Sequence, residues 1–185
     1  MLFRSRTGND LVPTLILGGP LVSKTDVGEA AFTLARSLVL LRPERIVCAL
    51  ESGRQVARLG MEAALNLAGL KPPSEAQRND VERLTAELAA LLPTATRDQV
   101  VGGARRLIAK SGGAVPDVDR WCNAVELSAA RAAFLLVNDL VLAARALAAE
   151  AGTRESLSAK QRLKDLVGFS ISEGYFEART LLGLG

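Results

Sequence analysis

Apolar residues recur every three or four positions through most of this chain, which is the spacing of one helix face. The most apolar stretches are 30–41 and 124–149. Prolines, glycines and capping residues divide the pattern into a short helical piece at 44–50 and eight longer predicted helices. These lie near 25–42, 53–67, 74–92, 96–110, 118–137, 140–151, 159–169 and 172–182. The pattern therefore predicts a mainly α protein, a multi-helix bundle of about eight helices.

Helix starts are indicated by residues that accept hydrogen bonds from the first backbone N–H groups of a helix. Asp117 and Ser172 are expected to act as such N-caps. A capping box adds a Glu or Gln three residues after the cap, whose side chain bonds back to the cap residue. Four predicted starts carry this spacing: Asp26 with Glu29, Ser74 with Gln77, Thr96 with Gln99, and Ser158 with Gln161.

The N-terminal residues have a different, β-like pattern. Leu2–Arg6 and Val12–Gly18 are predicted to pair as a small hairpin that reverses near Asn9 and Asp10. A lone hairpin is marginally stable in water. We therefore expect it to pack on the helices or to complete a sheet with preceding residues. The prediction is one helical domain over 1–185 that forms the C-terminal part of a longer protein.

Composition supports closely packed helices. Apolar residues make up 49% of the chain and aromatic residues only 4%, and small side chains let helix axes approach one another. The net charge of +3 comes from scattered basic residues, whereas nucleic-acid binding requires a clustered patch. Charged residues interrupt both apolar stretches, so neither spans a membrane. We expect neither nucleic acid nor a membrane as a partner.

Two cysteines, Cys48 and Cys122, lie far apart in the sequence in apolar contexts. An isolated apolar cysteine behaves as a small core residue, and a secreted scaffold or a metal site would need more of them. This usage favours a reducing, cytoplasmic setting.

The chain contains no histidine, which excludes every His-based catalytic triad. The absence matters most on the first long helix. A zinc peptidase helix of the H-E-x-x-H type needs two imidazoles one turn apart and a glutamate that polarises the metal-bound water. The matching window here contains Arg36, Ser37 and Leu40 instead.

Glu126 is the second residue of interest, because it stands among apolar neighbours in the predicted helix 118–137. A carboxylate on a buried face is costly unless it is paired. Arg131 and Arg36 are the candidate partners, and a structural ion pair between helices is favoured over a catalytic role.

Residues Leu34–Leu40 and Glu126–Arg131 resemble degenerate copies of two helices in the zinc metallopeptidase family that includes the CAAX-prenyl endopeptidases. In that family the second helix carries E-x-x-x-D, and its glutamate is the third zinc ligand. The resemblance implies that Glu126 keeps this ligand position, while Arg36 and Leu40 replace the histidines. It also implies that Ser37 replaces the general base and Ala130 the aspartate. A pseudoenzyme without metal or other cofactor is then expected, with an Arg36–Glu126 salt bridge in the former metal site.

Four segments, 38–44, 121–131, 138–140 and 169–176, resemble the C-terminal domain of large bacterial tetratricopeptide-repeat proteins. This resemblance covers nearly the whole chain and implies a scaffold or protein-interaction role, not an activity. The expected partner is a protein or the preceding domains of the same polypeptide, and a homodimer stays open.

Two other functions were weighed. A hydrolase could use Glu126 as a base in an apolar pocket, and its signature would be a raised pKa of that carboxyl group. Helices rich in Ala, Leu and Val could also line a cavity for a small molecule or lipid. A phosphate loop at Gly18–Lys24 is disfavoured because its glycine and lysine have the wrong spacing.

Overall fold

The computed structural model describes residues 2–7, 10–16, 18–19, 26–50, 52–71, 75–149 and 157–184. This part of the chain is mainly helical, as predicted, and contains eight α-helices. They are Val27–Leu40 (α1), Gly53–Leu67 (α2), Arg78–Leu91 (α3), Thr94–Lys110 (α4), Val118–Val137 (α5), Leu140–Ala149 (α6), Ala159–Ser170 (α7) and Glu173–Leu181 (α8). Short 3₁₀ helices span Ile46–Ala49 and Glu75–Gln77.

The N-terminal strands are Leu2–Thr7 (β1) and Asp10–Leu15 (β2). They pair antiparallel, with Leu2 opposite Leu15 and Thr7 opposite Asp10. The second strand ends at Leu15, before the predicted end at Gly18.

Most of the predicted helix starts that fall on described residues are confirmed. Asp26 caps α1, where its Oδ1 accepts a hydrogen bond from the Gly28 N–H at 2.7 Å. Ser158 and Gln161 form the predicted capping box of α7, with both reciprocal bonds present. Ser172 caps α8 by accepting from the Tyr175 N–H at 3.3 Å.

Two details of the capping prediction are wrong. The helix predicted to start at Thr96 begins at Thr94, directly after Pro93. The N-cap residue of α4 is Pro93, and no side chain there accepts a hydrogen bond from the first N–H groups. Glu29 does not complete a box with Asp26, because its carboxylate lies 3.2 Å from Arg145 Nε on α6. The predicted cap Ser74, and Lys24 of the disfavoured phosphate loop, lie outside the described residues.

The chain divides into two compact units. The first comprises Met1–Glu51 with Trp121–Gly185, and the second comprises Ser52–Arg120. The division falls within the first turn of α5. The prediction of a single domain over 1–185 stays a prediction.

The core of the first unit contains most of the large buried side chains among the described residues. One cluster draws on α1 and on α5 to α8: Phe32, Ala130, Ala133, Phe134, Leu142, Ala143, Ala146, Leu147, Leu166 and Tyr175. Close approach of α1 and α6 depends on Gly28, since a Cβ there would lie 2.2 Å from Leu142 Cδ1.

The turn between α5 and α6 is tied to α8. Asn138 adopts a φ of 50° at this predicted turn, a conformation that asparagine tolerates better than most residues. Its side chain accepts a hydrogen bond from the Tyr175 hydroxyl, and the Tyr175 ring stacks on Phe134 at 5.4 Å between centroids. Phe176, the next residue along α8, is 59% exposed. Consecutive helical side chains point about 100° apart, so only Tyr175 faces the core.

The second unit has a core of smaller residues. Its buried hydrophobic side chains among the described residues are Ala63, Leu65, Val81 and Ala104. At its surface, Asp119 accepts a hydrogen bond from Arg54 at 3.0 Å and another from Arg58. These two guanidinium groups, Arg58 above all, hold the pKa of Asp119 below its usual value of 3.8.

None of the helices described is long and apolar enough to cross a bilayer.

Candidate functional site

The predicted positions on α1 lie at its inner face. Arg36 and Leu40 are each 2% exposed, and they follow the buried Phe32 at intervals of one helical turn. Ser37 is half-buried, and its hydroxyl donates to the Thr33 carbonyl at 2.8 Å. This bond is a common way for a helical serine to satisfy its hydroxyl.

The predicted positions on α5 are buried too. Glu126 is 5% exposed and Ala130 is fully buried. Leu40 forms a separate buried cluster with Val125 and Ala129, which lie one position before and three positions after Glu126 on α5. The two helices that resemble the metallopeptidase pair therefore pack against each other. A direct salt bridge between Arg36 and Glu126 stays a prediction.

Two of the five positions that resemble the metallopeptidase site are apolar residues. Leu40 and Ala130 stand in tightly packed clusters, and neither side chain can ligate a metal. Among the residues that the structure describes, no three His, Cys, Asp or Glu side chains group as metal ligands. Glu126 lies between these two buried clusters along α5 and is itself only 5% exposed.

Arg131 is not the partner of Glu126, contrary to the first of the two pairings expected. Its Nε and Nη2 donate to the two carboxylate oxygens of Asp165 on α7, at 2.8 and 2.5 Å. The same guanidinium lies 5.3 Å from the ring centroid of Phe169. Its hydrogen bonds to the Asp165 carboxylate raise the pKa of Arg131 above its ordinary value. A bidentate carboxylate commits the guanidinium to this contact.

A surface cleft lies on the other side of α5, and we call it the Trp121 cleft. It has a volume of about 350 Å³ and is lined by Glu44, Arg45, Trp121, Ala124, Val125 and Ser128. One wall is α5, whose lining residues follow the i, i+3, i+4, i+7 spacing of a single helix face. The other wall is the segment just before the 3₁₀ helix Ile46–Ala49. All of these residues belong to the first unit.

The cleft combines an exposed aromatic ring with a cation. Trp121, the only tryptophan of the chain, is 40% exposed. Glu44 lies 3.8 Å from Arg42, so its charge is offset outside the cleft. Arg45 is half-buried and has no ion pair within the described part of the chain. The Arg45 guanidinium is therefore available to an incoming anionic group.

The two cysteines do not line the cleft, but they join the two segments that form its walls. Cys48 lies in the 3₁₀ helix Ile46–Ala49 and Cys122 in α5, and their sulfurs are 3.9 Å apart as two thiols. Cys48 also packs on the buried cluster that contains Val125. Their separation in sequence suggested two unrelated core residues, and the structure corrects that interpretation.

Neither the cleft nor the thiol pair was predicted from the sequence. Trp121, Ala124 and Val125 have the spacing of one helix face, but this spacing does not show that Trp121 is exposed while Val125 is buried. Arg45 and Cys48 precede α5 by about seventy positions along the chain. Nothing in the local pattern of either segment indicates that the two segments touch.

No protein-family model, curated protein or solved structure matches this chain.

Proposed function

We propose that this chain is a non-catalytic helical domain that binds a short segment of a partner protein in the Trp121 cleft. The observation that carries the proposal is the pairing of an exposed tryptophan with an arginine whose charge no described side chain balances. Tryptophan and arginine are the residues that most often dominate the binding energy of protein interfaces.

The cleft fits a protein segment in size and in shape. A volume of about 350 Å³ is at the small end of ligand sites, enough for one or two side chains. Trp121, Ala124 and Val125 offer an apolar surface along α5, and Ser128 offers a hydroxyl at one end. An extended or helical segment could place an apolar side chain on this stripe while its backbone stays in water.

The positive charge of Arg45 favours partner segments that carry an acidic residue. Arg45 supplies a planar donor fork that matches a carboxylate, and the Glu44 carboxylate is offset by Arg42. The expected occupant therefore carries an apolar side chain beside an aspartate or glutamate. This agrees with the interaction role that the resemblance to tetratricopeptide-repeat proteins implies.

Catalysis at Glu126 is less well supported. The carboxylate is 5% exposed and is not among the residues that line the cleft. A substrate would have to separate α1 from α5 to reach it. A pseudoenzyme core, with Arg36, Ser37, Leu40 and Ala130 in the degenerate positions, accounts better for this burial.

The test is a selection from a random peptide library displayed on phage, carried out in parallel on the wild type and on matched variants. The wild type is expected to enrich peptides with an apolar residue next to an acidic one. Arg45→Glu should shift the enriched charge from acidic to basic, and Trp121→Ala should enrich nothing above background.

Two exposed positions away from the cleft serve as controls. Arg105→Glu makes the same charge reversal on α4, and Phe176→Ala removes another exposed aromatic ring on α8. Both should enrich the wild-type peptides. Identical peptide sets from wild type and Arg45→Glu would exclude the proposed charge recognition, and peptides that survive Trp121→Ala would place binding elsewhere.

A further inference from the structure

We infer that Cys48 and Cys122 form a reversible disulfide that narrows the Trp121 cleft and so weakens binding of the partner segment. The disulfide itself depends only on the geometry of the two thiols. Its effect on binding rests on the proposed function.

The two sulfurs are placed for bond formation. They stand 3.9 Å apart, and a disulfide holds its sulfurs about 2.05 Å apart. The remaining approach of about 2 Å is within the range of a side-chain rotation and a small shift of the short 3₁₀ helix that carries Cys48. Both cysteines of the chain take part, so no third thiol competes.

Unequal exposure sets the order of the reaction. Cys48 is partly exposed, whereas Cys122 is 3% exposed. With oxidised glutathione as the oxidant, the Cys48 sulfur attacks one glutathione sulfur and releases one glutathione thiol. The Cys122 sulfur then attacks Cys48 Sγ and releases the second glutathione thiol. The two cysteine protons end on the two released glutathione thiols. Oxidised glutathione is thereby reduced, and the Cys48–Cys122 dithiol is oxidised to a disulfide.

The cross-link joins the two walls of the cleft. Arg45 is the residue directly before the 3₁₀ helix Ile46–Ala49, and Trp121 is the neighbour of Cys122 in α5. Drawing the sulfurs together pulls the Arg45 wall toward the Trp121 wall. In a reducing compartment such a bond would be transient, as is usual for redox-sensing disulfides.

The first experiment follows the thiols in the full chain. The reduced protein is incubated with oxidised glutathione, quenched in acid, unfolded, alkylated and weighed by mass spectrometry. The wild type should lose two hydrogen atoms, take up no alkyl group and keep no glutathione. Cys122→Ser should keep one glutathione on Cys48, and Cys48→Ser should leave Cys122 unmodified until the chain is unfolded. A wild type that ends with a stable glutathione adduct, or with two reduced thiols, would overturn the inference.

The second experiment follows the cleft. Oxidation should change the emission of Trp121, which no other tryptophan obscures. It should also weaken binding of a selected peptide about tenfold, equal to about 1.4 kcal/mol, with recovery on reduction. The double variant Cys48→Ala with Cys122→Ala should respond to neither treatment. Unchanged peptide affinity after complete disulfide formation contradicts the regulatory role.

The outcomes separate the two proposals. If no peptide is ever selected, the proposed function fails, and the emission of Trp121 still reports whether the disulfide alters the cleft. An emission spectrum that is the same in both redox states would then overturn the inference as well.

Discussion

The two faces of α5 differ in what they offer. The inner face carries Glu126, Ala130 and Phe134, all buried in the helix bundle of the first unit. The outer face carries Trp121, Ala124 and Ser128, which border a cleft open to solvent. One helix therefore holds both the positions that resemble a former metal site and the surface that could bind a partner. The residues that resemble metallopeptidase motifs lie on the inner face, whereas the side chains that solvent can reach lie on the outer face.

Stability should depend mainly on the inner face, and this is the largest effect expected. Phe134→Ala removes a ring that is 2% exposed and should lower the free energy of unfolding by about 3–5 kcal/mol. Trp121→Ala removes a ring that is 40% exposed and should cost about 1–2 kcal/mol, because only part of its apolar area is buried. Urea unfolding followed by helical circular dichroism measures both. Equal losses would show that the two faces are not energetically distinct.

The charged residues of the inner face give the next largest effect. Arg36→Met and Glu126→Gln should each cost about 3 kcal/mol if the two groups pair, because each change leaves a buried charge uncompensated. A double-mutant cycle should then give a coupling free energy above about 1 kcal/mol.

Arg131 provides a control for this cycle, since its guanidinium is committed to Asp165. The cycle of Arg131→Met with Glu126→Gln should give additive losses. Coupling to Arg131 in place of Arg36 would refute the salt bridge inferred from the metallopeptidase resemblance.

The smallest effect on stability is expected at the surface of the second unit, at Asp119. Because Arg58 and Arg54 depress the pKa of Asp119 below 3.8, the folded state binds this proton less readily than the unfolded state. The contribution is complete above pH 3.8 and is lost as the pH falls through the lower folded value. Asp119→Asn should thus destabilise the protein at pH 7 by less than about 1 kcal/mol.

Comparing Asp119→Asn with the wild type at low pH tests whether the pKa of Asp119 is lowered in the folded state. The difference in melting temperature between the wild type and Asp119→Asn should be smaller at pH 2.5 than at pH 7, because protonation of the carboxyl group removes the advantage of the folded state. A gap that widens on acidification would contradict the assigned direction.

The helices were predictable because their ends are encoded locally. Asp26, Ser158 with Gln161, and Ser172 act through bonds to residues two or three positions away, so their roles are visible in the sequence itself. The start of α4 was predicted two residues too late, because no side-chain cap marks its true start after Pro93.

Contacts between distant segments were not predictable in the same way. Glu29 was assigned to its local cap and pairs with Arg145. Arg131 was one of the two candidate partners of Glu126 and pairs with Asp165. In each case the partner lies on another helix. A single sequence does not show which helices pack against each other, so these pairs could not be predicted. The burial of Glu126 was foreseen from its apolar neighbours, but the juxtaposition of Cys48 and Cys122 was not.

The central claim is that binding belongs to the outer face of α5 and stability to the inner face. Its most direct test is the dissociation constant of one selected peptide, measured by calorimetry for Trp121→Ala and Glu126→Gln under conditions where both remain folded. The account predicts that Trp121→Ala weakens binding by at least about tenfold, while Glu126→Gln binds like the wild type and melts at a lower temperature. Loss of binding in Glu126→Gln with full binding in Trp121→Ala would contradict it.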